Sequence, residues 1–327
     1  MSERHAADVP QGWGMSLHAV TCEGCGWSYL LPVKRSLPSC PHCFQSLLVP
    51  LSGEVQDLPS VRPPEFVVPF ALSAETLAQR VADFSRPIPF PPEDLNSTAL
   101  RSRMQAVYLP TWLVDAEVEA LWEAEAGFNY RVVSHEERYD DGRGGWRTRE
   151  VEETRVRWEP RVGRLRRSYH NVPAPALEQD AALRDRLGDW DAAAAEPYRP
   201  SLLAGAVVSL PSRTPEDAWP AVLPAVRLRA AEECRRAADA DHFRQFRWKL
   251  ERVNRNWTMR LLPVYATYYE DDEGHAQVLL IHGRTGRVDG LRRGSMRRAR
   301  RRALTVGMVA LLMLAVSLVV TGAGLMM

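Results

Sequence analysis

Four cysteines near the start of the chain have the spacing of a metal site. Cys22 and Cys25 form one C-x2-C pair, Cys40 and Cys43 form a second, and fourteen residues separate the two pairs. This spacing is typical of four-cysteine zinc sites, in which each pair turns as a tight knuckle and directs two thiolates at one metal ion. Because all four ligands are thiolates, the coordination sphere is closed. We expect one structural Zn²⁺ without a catalytic position.

Disulfide formation and thiol redox chemistry are the alternative uses of these cysteines. Disulfides are disfavoured in a reducing cytoplasm, where the rest of the sequence places this part of the chain. Two pairs at this spacing also differ from the single C-x2-C of a thioredoxin-like site. We therefore favour a zinc ribbon over residues 17–50. The fifth cysteine, Cys234, is interpreted as a small apolar core residue.

The end of the chain is apolar and follows a basic cluster. Residues 303–327 contain 25 residues without a charge, which as a helix would extend about 37 Å, against a hydrocarbon core about 30 Å thick. The pattern predicts a single transmembrane helix over 303–327, a basic juxtamembrane segment over 291–302, and a body facing the cytoplasm at the bacterial inner (cytoplasmic) membrane. A buried helix of a soluble protein is the alternative. Seven arginines are expected to contact anionic lipid at the membrane surface: Arg292, Arg293, Arg297, Arg298, Arg300, Arg301 and Arg302.

The charge distribution and the missing motifs limit the function classes. Residues 1–290 carry 35 basic and 41 acidic side chains, a formal charge of −6, which is not the footprint of a general nucleic-acid binder. The segment Gly283-Arg284-Thr285-Gly286 lacks the lysine of a phosphate loop and predicts a turn with glycine at positive φ. We expect no enzyme, because the sequence offers no phosphate loop, catalytic triad or open metal site.

The residues between the ribbon and the basic segment predict an α+β body over 65–290. Residues 1–16 are expected to be a flexible N-terminus and 51–64 a linker rich in proline, glycine and serine. Charged runs on both sides of residues 140–145 predict an exposed hairpin, and a helix is expected from Thr214 to about Lys249. The predicted fold class is α+β, with an N-terminal zinc ribbon, a body of β-meander units and helices, and a single C-terminal transmembrane helix.

Several short motifs accompany the ribbon in a fixed order. They are Val68-Pro69-Phe70, Val107-Tyr108-Leu109-Pro110-Thr111-Trp112, Pro197-Tyr198 with Leu203-Ala204-Gly205, Leu261-Leu262-Pro263-Val264, and the run from His282 to Gly290. With them the chain resembles the bacterial membrane-associated zinc-ribbon proteins, which carry a TFIIB-type zinc ribbon and are often mislabelled primosomal-helicase-like. The resemblance implies a membrane-associated protein without helicase motifs. Some members of this group resemble membrane anchors for stress-response proteins of the phage-shock type.

Two functions follow from these patterns. The favoured one is a tail-anchored scaffold or adaptor that recruits a cytoplasmic or membrane protein partner to the membrane, with membrane stress response as the implied context. The alternative is a membrane-linked nucleic-acid-binding protein, with Trp27, Tyr29 and Phe44 stacking on bases and Arg155–Arg167 contacting phosphates. The charge around the ribbon favours the scaffold. A zinc ion held by four thiolates carries a formal charge of −2, which does not attract phosphates.

Overall fold

The computed structural model describes residues 12–51, 62–140, 142, 145–203 and 205–324, with side chains as far as residue 315. Parts of the predicted N-terminus, of the linker and of the C-terminal segment therefore lie outside the described residues. The strands within the described part are β1 (Leu17–Cys22), β2 (Ser28–Pro32), β3 (Leu48–Pro50), β4 (Phe66–Val67), β5 (Gln105–Asp140), β6 (Trp146–Ala174), β7 (Glu196–Pro197), β8 (Ala206–Ser209), β9 (His242–Glu270), β10 (Ala276–His282) and β11 (Val288–Gly290). The α-helices there are α1 (Ala74–Ser85), α2 (Ser97–Ser102), α3 (Asp180–Leu187), α4 (Pro215–Ala237) and α5 (Met296–Gly324).

The strands belong to one mixed sheet of eleven strands. Its main order is β11-β10-β9-β5-β8-β2-β1-β3, while β6 pairs with β5, and β4 pairs with β9 and β7. Two pairs are parallel, β5 with β8 and β4 with β9. The pairings β1–β2, β1–β3, β2–β8, β4–β7, β5–β6, β9–β10 and β10–β11 are antiparallel.

The predicted α+β fold class is wrong. The described chain is a large mixed sheet with few helices, not a set of β-meander units with helices around them. The reason is that strands far apart in sequence are neighbours: β5 lies beside β9, and β2 lies beside β8. Local periodicity predicts single strands and hairpins, but it carries no signal for such long-range pairing.

The predicted transmembrane helix over 303–327 is also corrected. No helix in the described part of the chain is long and apolar enough to cross a membrane. Helix α5 begins at Met296, so arginines occupy its first turns.

The chain divides into two compact units. Unit 1 comprises Met1–Thr111, Pro175–Thr214 and Met259–Met327, and unit 2 comprises Trp112–Ala174 and Pro215–Thr258. Unit 1 contains two clusters of buried apolar side chains, one of which includes the cysteines Cys22 and Cys40. In unit 2, the helix α4 packs on β6. The domain boundaries predicted from the sequence stay a prediction.

Helix α1 illustrates how local sequence builds the packing of unit 1. Ser73 precedes the helix, and its hydroxyl accepts a hydrogen bond from Thr76 N at 3.1 Å, satisfying a free donor of the first turn. Leu77, Val81 and Phe84 follow at spacings of four and three residues and are all buried. Such spacing places them on one face, which packs into the second apolar cluster.

Candidate metal centre

Each cysteine pair lies on a tight turn of the same construction. In the first turn Gly26 N donates to Cys22 O at 3.0 Å, and in the second Phe44 N donates to Cys40 O at 2.8 Å. Gly26 and Phe44 both have positive φ, +74° and +53°, which glycine adopts freely and other residues adopt at a cost. The Phe44 ring is buried against Tyr268, with centroids 4.8 Å apart. This packing offsets the cost of the Phe44 conformation.

The four sulfur atoms form a cluster of the size that one metal ion requires. Cys22 Sγ lies 3.7 Å from Cys43 Sγ, and Cys25 Sγ lies 3.6 Å from Cys40 Sγ. All four sulfur atoms lie within 4.8 Å of one another. In a tetrahedral thiolate site with metal–sulfur bonds of about 2.3 Å, neighbouring sulfur atoms are about 3.8 Å apart. The four predicted ligands are therefore brought together, and they could hold a metal ion.

The surroundings of the sulfur atoms give the thiols different pKa values. Burial acts to raise the pKa of Cys22, but hydrogen bonds from backbone N–H groups of its turn outweigh it and lower the pKa to about 7. Burial raises the pKa of Cys25 and of Cys40. The Cys40 sulfur also lies 3.6 Å from Tyr29 Oη and 3.4 Å from His42 N. A bound cation favours the thiolate form of all four, so metal binding is expected to release protons and to weaken as pH falls.

The ribbon is joined to the rest of the sheet through β2, its strand next to β8. Strand β2 pairs with β8 in the register Tyr29 with Ser209 and Leu30 with Val208, and Leu210 N donates to Ser28 O at 2.8 Å. Tyr29 and Leu30 are completely buried. The same strand thus packs into the core of unit 1 and contributes Tyr29 to the surroundings of the cysteines.

An apolar cavity of about 110 Å³ lies beside the cysteines. The ribbon contributes to its lining Trp27, Tyr29, Pro41 and His42. Trp27 and His42 are stacked, with ring centroids 4.2 Å apart and an angle of 12° between the rings. All four of these residues lie on the knuckles or within four residues of a cysteine, so the knuckle geometry determines this wall.

Helix α3 and the sheet provide the other walls of the cavity. The helix contributes Ala182, Leu183 and Arg186, and strands β5, β9 and β10 contribute apolar side chains. The Arg186 guanidinium is held by Asp289, to which its Nε donates at 2.6 Å. The partial enclosure of the His42 ring, followed by the charge of Arg186, lowers the pKa of His42. The cavity thus combines an apolar interior with a fixed cation among its lining residues.

The residues considered for base stacking are mostly enclosed. Tyr29 and Phe44 are 1% and 8% exposed, and the Trp27 ring already stacks on His42. Stacking on a nucleic-acid base requires a free aromatic face. These three side chains therefore do not form an open stacking surface.

The six arginines of Arg155–Arg167 are all paired with carboxylates. Their nitrogen–oxygen distances range from 2.8 to 3.6 Å, and the partners are Glu119, Glu153, Glu159, Glu233 and Glu251. The excess of positive charge seen in the sequence segment is thus balanced by carboxylates from β5, β6, α4 and β9. A phosphate would have to compete with these partners.

The basic segment before the apolar stretch is attached to unit 1. Ser295 Oγ accepts from Arg298 N at 3.0 Å, as a helix N-cap does, and donates to Asp272 Oδ1 at 2.7 Å. Arg297 N donates to Asp272 Oδ2 at 2.9 Å, and Ser295 N donates to Phe90 O at 2.7 Å. The start of α5 is therefore fixed by backbone and cap hydrogen bonds.

Several of the seven arginines also make contacts within unit 1. Arg293 pairs with Asp271 at 3.1 Å, and the Arg292 guanidinium lies 4.9 Å from the centre of the Phe84 ring. Arg298 Nη1 donates to a backbone carbonyl at 2.6 Å. These contacts reduce the number of arginines that are free for lipid, and the contact of this cluster with a membrane surface stays a prediction.

The turn between β10 and β11 has the predicted conformation. Gly286 has a φ of +70°, and its N–H donates to His282 O at 2.9 Å. His282 is buried, and its Nδ1 accepts from Arg284 N at 3.1 Å and from Thr285 N at 3.3 Å. The His282 ring therefore accepts hydrogen bonds from two N–H groups of its own turn. The prediction that this segment forms a turn is confirmed.

Comparison with protein-family models, with curated proteins and with solved structures found no match to this chain. The resemblance to the membrane-associated zinc-ribbon proteins thus stays a prediction based on the motifs quoted above.

Proposed function

We propose that this chain is a non-enzymatic docking protein in which one zinc ion organises a binding site for a protein partner. The ligands are Cys22, Cys25, Cys40 and Cys43. Four thiolates at tetrahedral separations suit zinc, which has no preferred geometry of its own and favours sulfur ligands in closed structural sites. The metal has no open position, so its role in this proposal is to hold the two knuckles together.

The observation that carries the proposal is the position of the 110 Å³ cavity. One of its walls consists of knuckle residues, and another is helix α3. Its volume is below the range of about 300–1,000 Å³ that is usual for small-molecule sites. It suits instead one apolar side chain of a partner, the kind of buried anchor that dominates protein–protein interfaces.

Two further observations favour a protein partner over a nucleic acid. The aromatic residues of the ribbon lack an open stacking face, and the arginines of Arg155–Arg167 are paired with carboxylates. Both features weaken the alternative function. Recruitment of the partner to the cytoplasmic membrane, which the family resemblance implies, stays a prediction.

Affinity capture of the tagged full chain, with and without nuclease, tests this proposal. Ala182 is exposed on α3 and lines the cavity, so Ala182→Arg is expected to fill it without disturbing the cysteines. We expect this variant to retain zinc and to lose specific proteins that the unsubstituted chain captures. Those proteins should remain bound after nuclease treatment.

Leu228→Arg is the matched control, because Leu228 is 61% exposed on α4 and lies outside the cavity. It should capture the same proteins as the unsubstituted chain. Identical capture by the Ala182→Arg and Leu228→Arg variants would contradict the docking site, and capture that nuclease abolishes would favour the nucleic-acid alternative.

A further inference from the structure

One arginine of unit 1 is buried without a counterion among the described residues. Arg260 lies on β9 and is 9% exposed. Within the described part of the chain its guanidinium makes neither an ion pair nor a hydrogen bond, and its Nε atom is enclosed without a partner. Taking a charge out of water costs much free energy unless a partner replaces the lost interactions, so buried arginines are normally paired.

The neighbours of Arg260 in the sheet are apolar. Its side chain lies on the same face of β9 as Leu262 and Val264, because successive residues of a strand alternate between the two faces. Both of these residues are buried in the larger apolar cluster. On the adjacent strand β4, Phe66 is in register with Arg260. An arginine stays protonated in proteins, so these neighbours leave its positive charge uncompensated.

Helix α3 brings a second guanidinium towards Arg260. Leu183 and Leu187 of α3 belong to the same apolar cluster as Leu262, so the helix lies against this part of β9. Burial, followed by the positive charge of Arg184 on the helix, lowers the pKa of Arg260. The charge that acts on the buried arginine from α3 is therefore another cation.

The carboxylate nearest to Arg184 along the helix is already engaged. Asp180, one turn earlier, pairs with Arg184 Nε at 2.9 Å, and its side chain is 13% exposed. It forms no ion pair with Arg260. Arg184, Arg260 and Asp180 together carry a formal charge of +1, which complements an anion.

This charged face of α3 is distinct from the face that lines the 110 Å³ cavity. The helix and its N-cap contribute to the cavity Gln179, Ala182, Leu183 and Arg186. At 3.6 residues per turn, Asp180 and Arg184 lie roughly a third of a turn around the helix from the centre of that group. The docking cavity and the charged face can therefore be changed separately.

We infer that Arg260 and Arg184 form a binding site for a small oxyanion, the group that phosphate and carboxylate ligands share. A guanidinium presents its N–H donors as a planar fork that matches two oxygens of such a group. The enclosed Arg260 contributes the stronger interaction, since little water screens its charge. Arg184, whose side chain is 34% exposed, lies nearer to the solvent. The inference is separate from the proposed docking function.

Thermal unfolding of the full chain in different salts tests the inference. Sodium phosphate, sodium acetate and sodium chloride are compared at millimolar concentration, equal ionic strength and constant pH. We expect phosphate or acetate to raise the Tm above its value in chloride, and the effective salt identifies the oxyanion. At ten times the dissociation constant, binding multiplies the folding equilibrium constant about elevenfold. The same Tm in all three salts would overturn the inference.

Arg260→Met is the most informative variant. In chloride it should unfold at the same temperature as the unsubstituted chain or at a higher one, because it removes a buried charge without a partner. It should also lose the Tm increase in phosphate or acetate, whereas a general salt effect would act on both chains alike. An equal increase in both chains, or a Tm that the substitution lowers equally in every salt, would overturn the inference.

Arg103→Met is the matched control for the buried arginine. Arg103 is partly buried in unit 1, and its Nη2 donates to Asp94 at 2.8 Å. Its loss leaves a carboxylate unpaired, so this variant should have a lower Tm in every salt and keep the full oxyanion shift. Loss of the shift in Arg103→Met as well would show that any destabilised chain loses it, and would overturn the inference.

A second pair of variants tests the contribution of α3. Arg184→Met should weaken oxyanion binding about tenfold, as the loss of one charge-assisted contact predicts. Arg199 pairs with Glu196 at 2.7 Å, much as Arg184 pairs with Asp180, and Arg199→Met should leave oxyanion binding unchanged. Equal binding by these two variants would overturn the assignment of Arg184 to the site.

Discussion

Unit 1 and unit 2 differ in what their strands bury. In unit 1, the strand residues Leu30, Leu261 and Leu279 are completely buried, and the cysteine cluster lies within the larger apolar core. In unit 2, long stretches of β6 are exposed and carry alternating charges, and Glu159 alone pairs with Arg157 at 2.9 Å and with Arg161 at 3.0 Å.

This difference predicts where each unit is vulnerable. Truncating a buried leucine costs about 2–5 kcal/mol, whereas an exposed ion pair contributes about 0.2–1 kcal/mol. We therefore expect the stability of unit 1 to depend on its buried apolar side chains and on a metal ion bound by the four cysteines. The charged surface of unit 2 depends on many weak contacts, and single substitutions there are expected to have small effects.

The largest expected effect is that of Cys40→Ser. The substitution removes one thiolate, and in structural zinc sites the binding free energy, about 10–16 kcal/mol in zinc-finger peptides, is also folding free energy. We expect loss of zinc and loss of amide protection in residues 17–50, measured by metal analysis and hydrogen exchange. Cys234→Ser is the control, because Cys234 is buried on α4 outside the cluster. Retention of zinc by Cys40→Ser would contradict the assigned ligand.

The second largest effect is expected when a buried leucine of unit 1 is truncated. Leu261→Ala is expected to lower the free energy of unfolding by about 2–5 kcal/mol, because the cavity it leaves cannot fully close. Leu121→Ala in unit 2 changes a side chain that is 42% exposed and should cost less than about 1 kcal/mol. Urea unfolding, monitored by hydrogen exchange in each unit, measures both losses of stability. Equal losses would remove the contrast between the units.

A pH-dependent contribution to unit 1 is expected from Asp94. Burial acts to raise the pKa of this carboxyl, but Arg103, whose Nη2 donates to it at 2.8 Å, and Glu270 N, at 2.9 Å, outweigh burial and lower the pKa. A lowered pKa means that the contribution is present above the unfolded pKa of about 3.9 and is lost as pH falls through the folded pKa.

Asp94→Asn should therefore be less stable than the unsubstituted chain at neutral pH, and the difference should shrink below about pH 4. Thermal unfolding of both chains between neutral and acidic pH measures it. A difference that does not change with pH would show that the carboxylate charge is not responsible.

The smallest effect is expected for Glu159→Gln in unit 2. It removes the carboxylate charge that Arg157 and Arg161 share, and all three side chains are substantially exposed, so the cost should stay below about 1 kcal/mol. High salt should reduce the difference further, since it screens exposed charges. Urea unfolding at low and high salt measures it. A loss comparable with that of Leu261→Ala would show that unit 2 depends on individual ion pairs.

The sequence predicts those features that depend on neighbouring residues. The cysteine cluster is predictable because each pair needs one local turn, and the spacing alone indicates it. The hairpin is confirmed as well: β5 and β6 are antiparallel on either side of residues 141–145. Turn residues and alternating charges are local signals, so both features can be read before any tertiary contact is known.

The predicted helix from Thr214 to about Lys249 is wrong in its second half. Helix α4 ends at Ala237, and β9 begins at His242. Asp241 accepts a hydrogen bond from Asn129 N at 2.7 Å, and His242 Nε2 lies 2.9 Å from Asn129 Oδ1. The strand is thus attached to a residue more than one hundred positions earlier in the chain, and helix propensity contains no information about this partner.

The α3 wall of the small cavity could not be predicted from the sequence either. Ala182 and Arg186 lie about 140 residues after the knuckles, and neither has a motif around it. The ribbon residue His42 also lines the cavity and stacks on Trp27, and its position in the sequence indicates neither contact. The site depends on tertiary packing of segments that carry no chemical signal.

Zinc content, together with hydrogen exchange of the full chain before and after zinc chelation, shows whether a metal ion organises the ribbon and α3. We expect about one zinc ion per chain. Chelation should remove amide protection from residues 22–46 and from the facing helix Asp180–Leu187, while the paired strands β5 and β6 of unit 2 should keep theirs. A chain that contains no zinc, or whose ribbon and α3 remain equally protected after chelation, would contradict the claim that the metal organises this site.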